Sequence, residues 1–173
     1  MLEDALSKMR SGELEGLSDF DDNWAPQINL GVPVLIPEKY VSDLDTRLGL
    51  YRRLSGLTSK VELEGFAAEL IDRFGELPRE VNTLLLVVRI KAMCKRAQIS
   101  KFDGGPKGAT IQFYNNKFKS PSGLVTFIDN ENGHAKIRDN KLVVIRSWAK
   151  DSDRIRGSFN LAKDLAKLAQ AKN

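Results

Sequence analysis

A chain of 173 residues is the size of one ordinary domain, and 42% hydrophobic residues are enough to form a core, which excludes a globally disordered protein. The single cysteine, Cys94, excludes an intrachain disulfide, and the longest aliphatic run, Leu84 to Val88, falls far short of the roughly 20 residues a bilayer requires. The net charge of +4 hides an asymmetry: residues 1–80 carry 16 acidic and 9 basic side chains, residues 81–173 carry 7 and 18.

Glu3 and Asp4 follow Met1 where a secretory leader needs positive charge, so the expectation is a soluble, cytoplasmic protein. Leu2, Ala5, Leu6 and Met9 predict a short helix over residues 1–11, ended by Gly12. The acidic stretch Glu13 to Asp22 reads as a solvated linker, which makes residues 1–27 a helical tail and linker from something upstream. The compact domain is expected over residues 28–173. Ile28, Leu30, Val32, Val34 and Ile36 alternate like a strand, and Pro33 and Pro37 confine that strand to an edge, because proline donates nothing to a ladder. A helix begins near Asp43 with Leu44, Leu48, Tyr51 and Leu54 on one face.

The segment from Val61 to Phe74 is the best-specified element. Ser59 and Glu62 form a capping-box pattern, Leu63, Phe66, Ala67, Leu70, Ile71 and Phe74 form one stripe, and Gly75 stands where a C-terminal glycine is expected. Pro78 starts a further helix that runs to about Ala97, with Val81, Leu84, Leu85, Val88 and Ala92 inward. Leu86, Val87 and Ile90 make this helix apolar almost all round, so it is expected at the centre of the domain. From Ile99 the period changes to strand, turn at Gly104–Gly108, and strand through Ala109, Ile111 and Phe113. A short helix follows Pro121, Asp139-Asn140 marks a tight hairpin, and a last helix from Asp151 to Ala171 buries Ile155, Phe159, Ala162, Leu165 and Leu168. These elements define an α+β class: a helical N-terminal half packed with a small antiparallel sheet of hairpins and a C-terminal helix.

Patterns that carry chemistry are few. The segment Gly104-Gly105-Pro106-Lys107-Gly108 lacks the GxxxxGK[ST] order that cradles phosphates and leads into a strand. One histidine, His134, and one cysteine give no metal-ligand spacing and no nucleophile–base pair. The expectation is a chain that is not itself an enzyme and holds no metal or cofactor. Lys101, Lys107, Lys117, Lys119, Lys136, Arg138, Lys141, Arg146, Arg154 and Arg156, with Phe113, Tyr114 and Phe118 among them, suit either a solvated basic surface or a nucleic-acid-binding accessory module. On the helix over 61–74, Glu62, Glu69 and Asp72 lie away from the apolar stripe, with Glu69 and Asp72 one turn apart beside the small residues Gly65 and Ala68. Paired carboxylates of this kind suit the forked guanidinium of a partner arginine. They equally suit an ordinary exposed face on which Arg73, four residues on, partly neutralises Glu69.

Glu69-Leu70-Ile71-Asp72-Arg73-Phe74-Gly75 with Pro78 resembles the ELIDRFG segment of bacterial transcription-repair coupling factors, the Mfd family. Thr46-Arg47-Leu48 with Tyr51-Arg52-Arg53, Val34-Leu35-Ile36-Pro37 with Tyr40-Val41, and Met1-Leu2-Glu3-Asp4-Ala5 are similar to stretches that precede it in that family. The likeness is strong over residues 28–97 and rests on the pattern of elements beyond residue 100. It implies the C-terminal regulatory domain of a much longer, ATP- and Mg-dependent DNA translocase that removes stalled RNA polymerase during transcription-coupled repair. In the family this domain folds back on an N-terminal UvrB-like module and masks the surface that recruits UvrA. Carried over, the acidic contacts of that clamp are Glu69 and Asp72, flanked by Glu62 and Arg73.

Overall fold

A computed structural model describes residues 24–170; the tail helix expected over 1–11 and the acidic stretch after it lie outside the described residues. Five strands and five α-helices follow in the order β1 (Gln27–Asn29), α1 (Leu44–Ser55), α2 (Lys60–Phe74), α3 (Arg79–Arg96), β2 (Ile99–Gly105), β3 (Gly108–Phe113), α4 (Pro121–Asn130), β4 (Ala135–Arg138), β5 (Lys141–Ile145) and α5 (Asp151–Gln170). This is an α+β fold whose single sheet has the order β1-β2-β3-β5-β4. The sheet is mixed, not wholly antiparallel, because β1 runs parallel to β2.

β1 is an edge strand, but only three residues long. Gly31, at φ +67°, turns the chain immediately after it, so the alternation from Ile28 to Ile36 does not continue as strand. Leu30 instead enters the core under the sheet, and Ile36 enters a second core between the N-terminal helices. Tyr51 receives the Ile36 N–H on its hydroxyl at 2.6 Å, and Arg47 donates to the Val41 carbonyl at 2.9 Å, which fastens this irregular segment to α1. At the other end, Trp24 stacks on Tyr114 with ring centres 4.5 Å apart and receives Lys95 on its ring face and its carbonyl. The packed body therefore reaches back into the stretch expected to be linker.

Local signals set the helix ends. Asp43 accepts the Thr46 N–H at 2.9 Å and caps α1, and Ser59 accepts the Glu62 N–H at 3.1 Å and caps α2. Gly75, at φ +95°, returns its N–H to the Ile71 carbonyl and ends α2. Pro78 takes the N-cap position of α3, one residue before the first helical turn. That helix is central, as its all-round apolar pattern predicts, because it serves both cores. Val81 and Leu84 pack with Val41, Leu50, Leu54, Leu63, Phe66 and Leu70, whereas Ile90 and Cys94 pack under the sheet. Thr83 is buried, whereas the expected Leu85, Val88 and Ala92 are half-buried.

In the sheet, Pro106-Lys107 turns β2 into β3, and Gly108 follows at φ +132° with the Val144 carbonyl oxygen where a Cβ would stand. Asp139 and Asn140 both have positive φ, 52° and 63°, as a two-residue type I′ hairpin needs. All the helices that touch the sheet cover one face, and Phe102, Ala109, Ile111, Phe113, Ala135, Leu142 and Val144 point into the core there. On α5 the buried set is Ile155, Leu161, Ala162, Leu165, Ala166 and Ala169 with Arg154 and Ser158. Phe159 and Leu168 are half-buried, contrary to expectation; Phe159 lies under the Arg89 guanidinium at 4.7 Å, at the margin of the core.

Candidate functional site

The four residues singled out on α2 do not form one open cluster. Successive helical positions rotate by about 100°, so Leu63, Phe66 and Leu70 bury one side and Val61, Gly65, Ala68 and Asp72 occupy the side opposite. Asp72 is exposed there and has no ionic or hydrogen-bonded partner among the described residues. Gly65 and Ala68 beside it keep the surface low, and Gly65 has open space around it. Val61 at 77% exposure and Ile71 at 49% add apolar area to the same region. Ile71 thus sits outside the stripe in which the sequence places it, half exposed on the flank away from Glu69.

Glu69 is turned toward α1. Arg53, in the last turn of α1, grips it with both guanidinium nitrogens at 2.5 and 2.8 Å while lying over the Phe66 ring. Arg73 adds a third contact at 3.1 Å from the next turn of α2. The Arg53 hydrogen bonds, reinforced by Arg73 against some desolvation, hold the Glu69 carboxyl down to about 2. Periodicity anticipates Arg73 but not Arg53, because the Arg53–Glu69 contact depends on how α1 and α2 pack. Glu62 is used locally: its carboxylate accepts the Ser59 hydroxyl at 2.9 Å at the head of α2.

A carboxyl depressed in the folded state binds protons more readily once the chain unfolds. The Glu69 contribution to stability is therefore complete above its ordinary value of 4.5 and is lost as pH falls toward about 2. Melts of wild type and Glu69→Gln should differ by a constant amount above that range and converge below it. A gap that widens on acidification would show that Glu69 is not held as an anion.

Elsewhere the sequence candidates separate. His134 is exposed beside β4, and Cys94 is buried, with desolvation raising its thiol pKa. Among the described residues no group of three or more His, Cys, Asp or Glu side chains is placed to hold a metal ion, and no helix is long and apolar enough to cross a membrane. The basic residues also divide. Arg154 is a core residue, not a surface charge, donating to the carbonyls of Leu30 and Trp148, and Arg146 is paired with Glu131 at 2.7 Å. Phe113 is buried with Phe118 packed on it, and Tyr114 holds Trp24, so none of these aromatics is an open stacking platform.

The molecule is thus an α+β domain made of a three-helix lobe and a sheet covered on one face, with exposed charged surfaces on both parts. The family model for the TRCF domain matches residues 30–124, more than half of the chain, and the chain belongs to that family. It is 42% identical over 84% of its length to the transcription-repair-coupling factor of Rickettsia bellii, and 31% identical over 79% to that of Escherichia coli K12. It spans only 13% and 12% of those proteins. A crystal structure of the C-terminal domain of a transcription-repair coupling factor superposes with a TM-score of 0.72 at 24% identity, covering 87% of this chain and 97% of that one, a likeness of fold.

Proposed function

We propose that this domain is an autoregulatory clamp, in which α2 docks on a UvrB-like module of the parent factor and masks the surface that recruits UvrA. The observation that carries this reading is the Asp72 carboxylate, exposed directly opposite the buried stripe and without a partner among the described residues. A guanidinium from a neighbour meets it without breaking any contact within the domain. Gly65 and Ala68 permit close approach, and Val61 and Ile71 supply the apolar area that a protein interface needs at its centre. Membership of the TRCF family and the names of the relatives support the coarser part of this reading, a domain of a transcription-repair-coupling factor.

Glu69 takes a different part from the one its spacing suggests. Its carboxylate already accepts three N–H contacts from Arg53 and Arg73, so it shapes the surface and offers a partner only what remains. An exposed ion pair contributes up to about 1 kcal/mol, so the latch is a sum of several small contacts and is releasable when the motor engages DNA and polymerase. Asp72→Lys is the informative variant, because Glu69→Lys would set a third cation beside Arg53 and Arg73 and disturb the fold. Asp72→Lys is expected to weaken binding of this domain to the separately expressed UvrB-like module by about tenfold, near 1.4 kcal/mol, with an unchanged melting temperature. In the full-length factor it should strengthen UvrA binding. Equal affinity of variant and wild type for the UvrB-like module would overturn the clamp.

A further inference from the structure

The five strands leave one face of the sheet without a helix among the described residues, and the register determines what that face displays. Gln27 pairs with Lys101, Lys101 with Gln112, Gln112 with Lys141, and Lys141 with Arg138, forming one row across all five strands. The adjoining row is Asn29, Asp103, Thr110, Val143 and Lys136. Phe102, Ile111, Leu142 and Val144, the neighbours of these positions along the strands, are all buried on the opposite side, so the two rows face away from the core.

We infer that this open sheet face binds the phosphate backbone of duplex nucleic acid. Its functional groups are almost all hydrogen-bond donors: Lys101, Lys136, Arg138 and Lys141, with amides from Gln27, Asn29 and Gln112. The one acid in the two rows, Asp103, lies 3.7 Å from Lys101 and offsets a single charge. A protein partner requires an apolar centre, and here the apolar side chains, Val143 and in the row beyond it Ile145, lie together on β5 to one side of the row formed by Lys101, Gln112, Lys141 and Arg138. Single-stranded nucleic acid requires aromatic platforms, and the aromatics of the sheet, Phe102 and Phe113, point into the core. With strands about 4.8 Å apart, the basic part of the first row, from Lys101 to Arg138, spans about 14 Å. That is close to the major-groove width of about 12 Å, so its ends reach phosphates on both sides of one groove. The expected recognition is of charge and spacing, without base readout.

The test is fluorescence polarisation of the 173-residue chain with a short labelled DNA duplex, between about 50 and about 200 mM salt. Three to four neutralised phosphates predict a fall in affinity of about 40-fold or more over that range. Lys136→Gln with Arg138→Gln and Lys141→Gln, all exposed, should remove most of the binding and flatten the salt dependence. Lys150→Gln with Lys163→Gln and Lys167→Gln removes the same charge away from the two rows and should retain most of it. Circular dichroism melts of both variants monitor the fold. Three results would each overturn the inference: no duplex binding at the lower salt, an equal loss in the two triple variants, or binding of polyglutamate as tight as that of DNA.

Discussion

Gly157→Ala is expected to destabilise the domain by about 2 kcal/mol, lowering the melting temperature by about 4–8 °C. A glycine inside a helix ordinarily costs about 1 kcal/mol relative to alanine, so the substitution looks favourable from sequence. Here the Trp148 ring lies flat against the α5 backbone, and an added Cβ would stand 2.3 Å from its Nε1 and 2.4 Å from its Cε2. The ring has no room to swing: Trp148 is buried, and its backbone N–H is fixed to the Pro106 carbonyl at 2.8 Å. Relief of that overlap has to move the β5–α5 connection or α5 itself. In a Trp148→Leu background the same Gly157→Ala change should be neutral or mildly stabilising. Equal destabilisation in both backgrounds would show that ring contact is not the cause.

Arg154→Met should cost about 2–4 kcal/mol by chemical denaturation. Arg154 is 7% exposed, yet its guanidinium ties together three parts of the chain. It donates to the Leu30 carbonyl at 2.9 Å and to the Trp148 carbonyl from two nitrogens at 3.2 Å, with Ala149 at 3.5 Å and the Asp151 carboxylate at 3.6 Å. Methionine retains most of the volume but leaves buried carbonyls without donors, and that unmet desolvation is the main loss. Arg154→Lys should recover only part of it, because one ammonium does not span the fork. A methionine variant within about 0.5 kcal/mol of wild type would mean that solvent satisfies those carbonyls.

What the sequence reveals depends on how local each determinant is. Ser59, the Leu63–Phe66–Leu70 stripe and Gly75 specify α2 within seventeen residues, and Asp139-Asn140 specifies its hairpin within two. Arg154 reads as a surface cation because the carbonyls that bury it come from residues 30, 148 and 149. Glu69 reads as an open acid because Arg53 approaches from another helix. Ala166 and Ala169 are buried where Phe159 and Leu168 are not, because small residues let α5 lie close to α3, a packing effect that side-chain hydrophobicity alone does not rank. Asp72 is the part of the candidate surface that helical geometry identifies unaided. The row from Gln27 to Arg138 is invisible without the register, since its members lie on five strands.

The Trp24 anchor also has a mechanical consequence. Trp24 is pinned by Tyr114 and Lys95, and Lys95 lies in the last turn of α3, the helix shared by both cores. A pull arriving through the residues before Trp24 therefore meets this anchor, tied to α3 through Lys95, before it reaches β1. It does not peel β1 away from the sheet one hydrogen bond at a time. The stacked rings act as strain relief, taking tension from the preceding chain ahead of the three-residue edge strand.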